Sequence, residues 1–135
     1  MRGFDAKTRY ALSAALDLAE HREGQKPVKI REIAARTGIP PKYLVHILLQ
    51  LKRRALVNST RGARGGYWLV RPPDLVSAAE VINAVATGDR GGPPHAVEAR
   101  HEGIIGRLCQ QADRRRREYL SQTTLAQLLE GKAGP

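Results

Sequence analysis

Residues 28–73, VKIREIAARTGIPPKYLVHILLQLKRRALVNSTRGARGGYWLVRPP, carry the pattern that decides the fold. Ile30 to Thr37 reads as a short helix with Ile33 and Ala34 inward. Gly38 stops it, because glycine accepts the left-handed conformation needed just past a helix end. Pro41 suits the first position of the next helix, where its missing N–H would have had no partner. From there to about Arg54, Leu44, Ile47, Leu48 and Leu51 follow the i, i+3, i+4, i+7 spacing of one apolar face. Lys42, His46, Gln50 and Arg53 fall on a different face. Two short helices joined by a tight glycine turn, the second basic outside, make a helix-turn-helix. Leu56 to Thr60 and Tyr67 to Val70 then read as paired strands around a basic, glycine-rich tip, Arg61-Gly62-Ala63-Arg64-Gly65-Gly66. A hairpin directly after a helix-turn-helix is a wing. Arg71-Pro72-Pro73-Asp74 closes the unit as an extended linker, since residues before proline avoid the helical region.

Upstream, Asp5 to His21 reads as a helix with Tyr10, Ala14 and Leu18 on one stripe and Ala11, Ala15 and Leu16 beside it. Gly24 and Pro27 break the chain after it. Downstream, Ser77 and Glu80 form a capping-box pair that opens a fourth helix, with Ala78, Val81, Ile82 and Val85 as its stripe. Residues 88–97 contain Gly91, Gly92, Pro93 and Pro94 and read as an irregular, mobile loop. A long helix from about 98 to 121 follows, with Ile104, Ile105, Leu108, Ala112, Tyr119 and Leu120 at its apolar positions. A short last helix spans Leu125 to Leu129. The expected fold is mainly α: a winged helix-turn-helix with a small two-stranded β wing, plus a long C-terminal helix. The expected division is a winged helix-turn-helix domain over 1–74 and a helical region over 75–135.

The 135 residues carry a formal charge of +10. Residues 1–75 hold 15 Lys/Arg against 6 Asp/Glu, and residues 76–135 hold 8 against 7. An excess confined to the half with the helix-turn-helix is the footprint of a surface that meets a polyanion. A membrane surface is a poorer partner, because the basic half lacks an amphipathic helix with bulky aromatics on its apolar face. No apolar run is long enough to span a bilayer. Asp5, Lys7, Arg9 and Asp17 interrupt any signal-peptide core, which leads to the expectation of a cytoplasmic protein. The single cysteine, Cys109, excludes an intrachain disulfide framework and a multi-cysteine zinc site. No glycine-rich phosphate loop, carboxylate pair or nucleophile–base pair suggests an enzyme.

With RYALSAALDLAEH (residues 9–21) ahead of the 28–73 segment and TLAQLL (residues 124–129) behind the long helix, nearly the whole chain resembles the Rrf2 family of bacterial regulators. The resemblance implies a winged-helix homodimer, with a DNA-binding domain over 1–74 and a dimerisation region over 75–135 whose long C-terminal dimerisation helix pairs with its mate. It also implies that many relatives sense iron–sulfur status, nitric oxide, redox state or cysteine metabolism. Cluster-binding relatives place three cysteines before the dimer helix. Alignment on TLAQLL puts the later ligand positions near Gly103 and Gly106, and the loop offers His95 and His101 but no thiolate. Clusters are held chiefly by cysteine thiolates, so no iron–sulfur cofactor is expected. Cys109 aligns where relatives often carry an aromatic on the dimer helix, which points to a buried interface cysteine. As a lone thiol it could otherwise form an intermolecular disulfide or a reversible oxidised species.

The expected DNA-binding residues are Lys42, Tyr43, His46 and Arg53 on the reading helix, and Arg61, Gly62, Arg64, Gly65 and Gly66 in the wing. A major groove admits a helix and shows each base pair distinctly. Lys42 lies near the end that usually touches bases or phosphates. Tyr43 is either a phosphate donor or a ring on the helix flank, and His46 either meets a base edge or is solvated. Arg61 and Arg64 suit a narrow minor groove, while the glycines let the backbone approach the sugar–phosphate surface. Pro40 and Pro41 stand where relatives often carry a hydroxyl residue, so base preference is expected to differ. Trp68 is expected at the wing base, and Arg114 to Arg117 as a solvated face. The expected dimer interface is Ile104, Ile105, Leu108, Cys109, Ala112, Tyr119 and Leu120. The partners expected are double-stranded DNA, a second copy of the chain and a small-molecule effector or partner protein. The alternative to a DNA-binding regulator is an adaptor whose winged helix binds a protein.

Overall fold

The computed structural model describes residues 4–22, 26–86 and 102–131. The loop expected over 88–97 and the start of the long helix before Glu102 lie outside these residues.

Helix α1 (Ala6–Glu20) is the hub of the fold. Asp5 caps it, its Oδ1 accepting the Thr8 N–H at 2.8 Å, and this hydrogen bonding holds the Asp5 carboxyl below the usual carboxylate range. Ala11, Ala14, Ala15 and Leu18 are buried, and the small alanines let neighbouring helices approach the α1 backbone closely. Helix α2 (Ile30–Thr37) ends at Gly38, which adopts φ 79° and returns its N–H to the Ala34 carbonyl at 2.8 Å. Helix α3 (Pro41–Arg53) has no side-chain cap, in keeping with Pro40 and Pro41 at its start. Leu44, Ile47, Leu48 and Leu51 are all buried, as their spacing predicts. Each such side chain contributes roughly 1.5–3 kcal/mol when fully removed from water. Ala55, just past α3, sits at φ 60°, a place where glycine is the usual occupant.

Strands β1 (Val57–Thr60) and β2 (Gly66–Leu69) pair antiparallel in the register Val57–Leu69, Asn58–Trp68, Ser59–Tyr67 and Thr60–Gly66. Sequence periodicity places them within one residue of these limits. It does not show that Val28 adds a third, one-residue strand. Val28 and Tyr67 exchange both backbone hydrogen bonds at 2.8 Å, tying the wing to the segment ahead of α2.

Helix α4 (Ala78–Val85) begins at the expected Ser77–Glu80 capping box. Helix α5 (Glu102–Gln122) is long and exposed along most of its length. Helix α6 (Leu125–Leu129) turns back onto the body and buries Leu125 completely. Val76, Val81, Val85 and Leu125 share one core with Leu18, Leu44 and Leu51. The division after residue 74 therefore does not separate two cores, because α4 and α6 complete the winged-helix body, while α5 packs against α4 and leaves most of its own length exposed. Arg116 of the basic run lies over the Phe4 ring at 5.5 Å rather than being wholly solvated. None of the helices among the described residues is long and apolar enough to cross a membrane.

Candidate nucleic-acid interface

The outer face of α3 is set by what its inner face buries. With Leu44, Ile47, Leu48 and Leu51 inward, Lys42, Tyr43, Val45, His46, Leu49 and Arg53 are left exposed. Tyr43 is 49% exposed and its ring stacks on Tyr10 of α1, centroids 6.5 Å apart. The Lys42 ammonium lies 5.1 Å from the Tyr43 ring centre, so a cation rests on the aromatic pair. The ring thus lies on the helix flank with about half of it open. A groove of about 700 Å³ runs between the start of α1 and α3, lined by Lys7, Tyr10, Tyr43, His46, Gln50 and Arg53 among others. Lys7 of α1 joins the basic α3 face there, which the pattern of α3 alone does not reveal. The Gln50 side-chain amide oxygen, Oε1, is buried in this region without a hydrogen-bond partner among the described residues. Val45 and Leu49 are exposed on this face too, although the sequence pattern does not single them out. An apolar side chain there suits a thymine methyl.

The wing presents Arg61, Gly62, Ala63 and Arg64 to solvent. Gly65 and Gly66 serve the hairpin itself. A Cβ on Gly65 would collide with the Thr60 carbonyl oxygen, and one on Gly66 would lie 2.6 Å from that of Val28. The backbone they let approach is the chain's own. Two lysines brace the wing from outside: Lys29 donates to the Ala63 carbonyl at the tip, and Lys52 of α3 donates to Ser59 Oγ at 2.8 Å. Neither is legible in the sequence as a wing brace, because each is distant from its partner or hidden in a basic run. Trp68 is half-buried at the wing base, as expected.

The helix-turn-helix is locked by an ion pair that periodicity does not predict. Asp17 of α1 is only 5% exposed, and Arg36 of α2 binds it with two hydrogen bonds, at 2.8 and 3.0 Å. Bonding to Asp17 raises the Arg36 guanidinium above its ordinary range.

Along α5, Ile104, Ile105, Leu108 and Tyr119 are exposed, with Leu108 at 67%. Cys109 and Ala112 are exposed beside them and Leu120 is half-buried. In the single chain Cys109 is thus open to solvent, not buried. Among the described residues no group of three or more His, Cys, Asp or Glu side chains is placed to hold a metal ion. The sequence holds one cysteine and so offers a single thiolate per chain, whereas iron–sulfur clusters are held chiefly by cysteine thiolates.

Three comparisons bear on this arrangement. A family model described as Rrf2, iron-dependent transcriptional regulator, matches residues 4–131. The chain is 37% identical over 137 residues to the HTH-type transcriptional regulator IscR of Sodalis glossinidius, covering 92% of this chain and 76% of that protein. It is 42% identical over 81 residues to an rrf2-like HTH-type regulator of Rhodobacter capsulatus, a match spanning 58% of this chain and 54% of that one. The chain thus spans little more than half the length of some curated relatives. Among solved structures, IscR of T. potens superposes with a TM-score of 0.78 at 28% identity, covering 96% of this chain and 88% of that one. CymR, the global cysteine regulator of B. subtilis, superposes with a TM-score of 0.76 at 28% identity, covering 98% and 99%.

Proposed function

The chain belongs to the Rrf2 family of helix-turn-helix transcriptional regulators, and on that premise we propose that it is a cytoplasmic repressor that binds a pseudo-palindromic operator as a homodimer. The observation that carries this reading is the pairing of two exposed basic elements, the α3 face with Lys42, Tyr43, His46 and Arg53, and the wing tip with Arg61 and Arg64. Helix α3 enters the major groove, and the wing arginines engage the adjacent minor groove or backbone. The second copy docks on α5, where Ile104, Ile105, Leu108, Cys109, Ala112 and Tyr119 form an apolar stripe without cover in one chain. Stripes of this kind on a soluble protein mark interaction surfaces. Two readers related by a dyad call for half-sites spaced by whole helical turns. The donor set supports regulation without a resident iron–sulfur cluster, by a small-molecule effector or a partner protein.

The test is selection of bound fragments from random DNA, with protein purified under reducing conditions and without added metal. Enrichment of a single inverted repeat is the expected result. Failure to enrich any sequence, with a folded dimer and an affinity insensitive to salt, would favour the protein-binding adaptor.

A further inference from the structure

At the end of α1 away from the reading face, a second cavity of about 500 Å³ lies between the helix terminus and the wing. It falls within the roughly 300–1,000 Å³ typical of small-ligand sites. His21, Arg22 and Lys26 line one side, Thr60 and Trp68 of the wing strands line the other, and Leu18 is among its apolar residues. Among the described residues, no carboxylate lines it. Arg22 Nε is buried there without a hydrogen-bond partner among the described residues, and a buried donor left unmatched calls for an explanation. Two of the acidic side chains nearby among the described residues, Asp17 and Glu32, are already engaged. Asp17 is held by Arg36, and the end of α1 is met by His21, whose Nδ1–H donates to the Asp17 carbonyl at 2.8 Å. Glu32 accepts the Lys29 N–H at 3.1 Å, and with Glu20 it lines an adjoining depression that shares His21, Lys26, Pro27 and Val28 with this one.

We propose that this cavity is a binding site for a small organic anion, a carboxylate or phosphate, held by Arg22 and Lys26 with its apolar part against Trp68. A guanidinium is suited to such groups because its donors match their oxygens in a fixed fork. The site touches β1 and β2 at once, and Thr60 directly precedes the wing arginine Arg61. An occupant therefore bridges α1 to the wing strands. Its chemistry is shared by a DNA backbone phosphate, so the test must tell the two sources apart. The reader face is at the opposite end of α1: Lys7 and Tyr10 line that groove, whereas Leu18 and Arg22 line this one, about 1.5 Å further along the axis for each intervening residue. The cavity thus lies away from the α3 face and has only the wing in common with the proposed DNA surface.

Trp68 is the only tryptophan in the chain, so its fluorescence reports the cavity directly. The full chain, free of DNA, is titrated with inorganic phosphate and separately with acetate at constant ionic strength. The expected result is a saturable change in Trp68 emission with at least one anion. Arg22→Gln should weaken it about tenfold or more, as expected for a lost charge-assisted hydrogen bond. Lys26→Gln, at an exposed position that does not threaten folding, should weaken it in the same direction, and the remote Arg54→Gln should leave it unchanged. No saturable response, or one that both cavity variants retain in full, overturns the proposal. A Trp68 response to duplex DNA alone, with Arg22→Gln lowering the salt slope of DNA binding, also overturns it, by assigning the cavity to the DNA backbone. The DNA selection does not enter this assay, so the two readings fail separately.

Discussion

Ser77 and Thr124, the capping residues of α4 and α6, face each other across a single antiparallel bridge. The Ala78 N–H donates to the Thr123 carbonyl at 2.7 Å and the Leu125 N–H to the Val76 carbonyl at 3.0 Å. Each hydroxyl also caps its own helix, with Glu80 and Gln127 completing the two boxes. The bridge returns the chain from α5 to the body and lets Leu125 close the core. Leu125→Ala should therefore cost about 2–5 kcal/mol, the range for emptying a buried leucine site. Thr124→Ala should cost about 1 kcal/mol through removal of the cap. Urea unfolding measures both, and a Leu125→Ala effect below that of Thr124→Ala would contradict the placement of α6.

Asp17 and Arg36 join α1 to α2 with the carboxylate buried and the guanidinium side chain 35% exposed. Removing Arg36 alone strands a buried charge. Arg36→Ala should destabilise by about 1–3 kcal/mol, less than for a fully buried pair because solvent already screens the arginine. A double-mutant cycle with Asp17→Ala should show the two effects to be strongly non-additive. Simple additivity would mean the pair contributes nothing as a pair.

Acid should weaken the protein in a specific way. Burial pushes the Glu80 carboxyl up, but bonding to Arg71 and Ser77 outweighs it and the group is held below its ordinary value of 4.5. A carboxyl depressed in the folded state stabilises above its unfolded pKa and loses that contribution as pH falls through the folded one. Stability should therefore decline below about pH 4.5, and Asp5 acts in the same sense. Glu80→Gln should be less stable near neutrality and lose less on acidification. Denaturation midpoints across that range check this; parallel curves for the two proteins would show that Glu80 is not part of the acid response.

Three glycines should respond to alanine with opposite signs. Gly65→Ala and Gly66→Ala drive a methyl into backbone that cannot move aside, at a cost of about 1–3 kcal/mol or more. Gly103, inside α5, has nothing within 4 Å of its added Cβ. Gly103→Ala should stabilise the helix by about 0.5–1 kcal/mol. Thermal melts read the difference, and amide exchange at Val28 and Tyr67 should accelerate in the wing variants only.

The two parts of the proposed DNA surface should separate by salt and sequence dependence. Arg61→Ala with Arg64→Ala should weaken binding to most duplexes and lower the salt slope by about one unit for each phosphate no longer neutralised. Lys42→Ala with His46→Ala should instead change which sequences are preferred. An equal reduction on all sequences from the second pair would count against base reading by α3.

The helices and wing could be read from the chain because each rests on local rules. Apolar spacing, a glycine stop, a proline start and a capping box act over a few residues, and α2 begins and ends where they place it. The site was legible to the extent that exposure follows from the same spacing. The buried set at Leu44, Ile47, Leu48 and Leu51 leaves Lys42, Tyr43 and His46 outside without reference to the rest of the molecule.

What depended on distance in sequence was decided only by the tertiary structure. Asp17 looks like any helical carboxylate until Arg36 arrives from another helix. Gly65 and Gly66 look like a flexible tip until Thr60 and Val28 pack against them. The sequence by itself determined the α-helices and the two wing strands, the basic half and the single cysteine, all of which are properties of residues and their near neighbours; the short 3-10 turn at Pro73–Leu75, where an extended linker is expected, and the Val28 bridge are not among them. Only the folded chain decided that α4 and α6 belong to the same core as α3. It also brought Arg22 and Trp68 to one cavity, since such neighbours arise where separate elements enclose one volume.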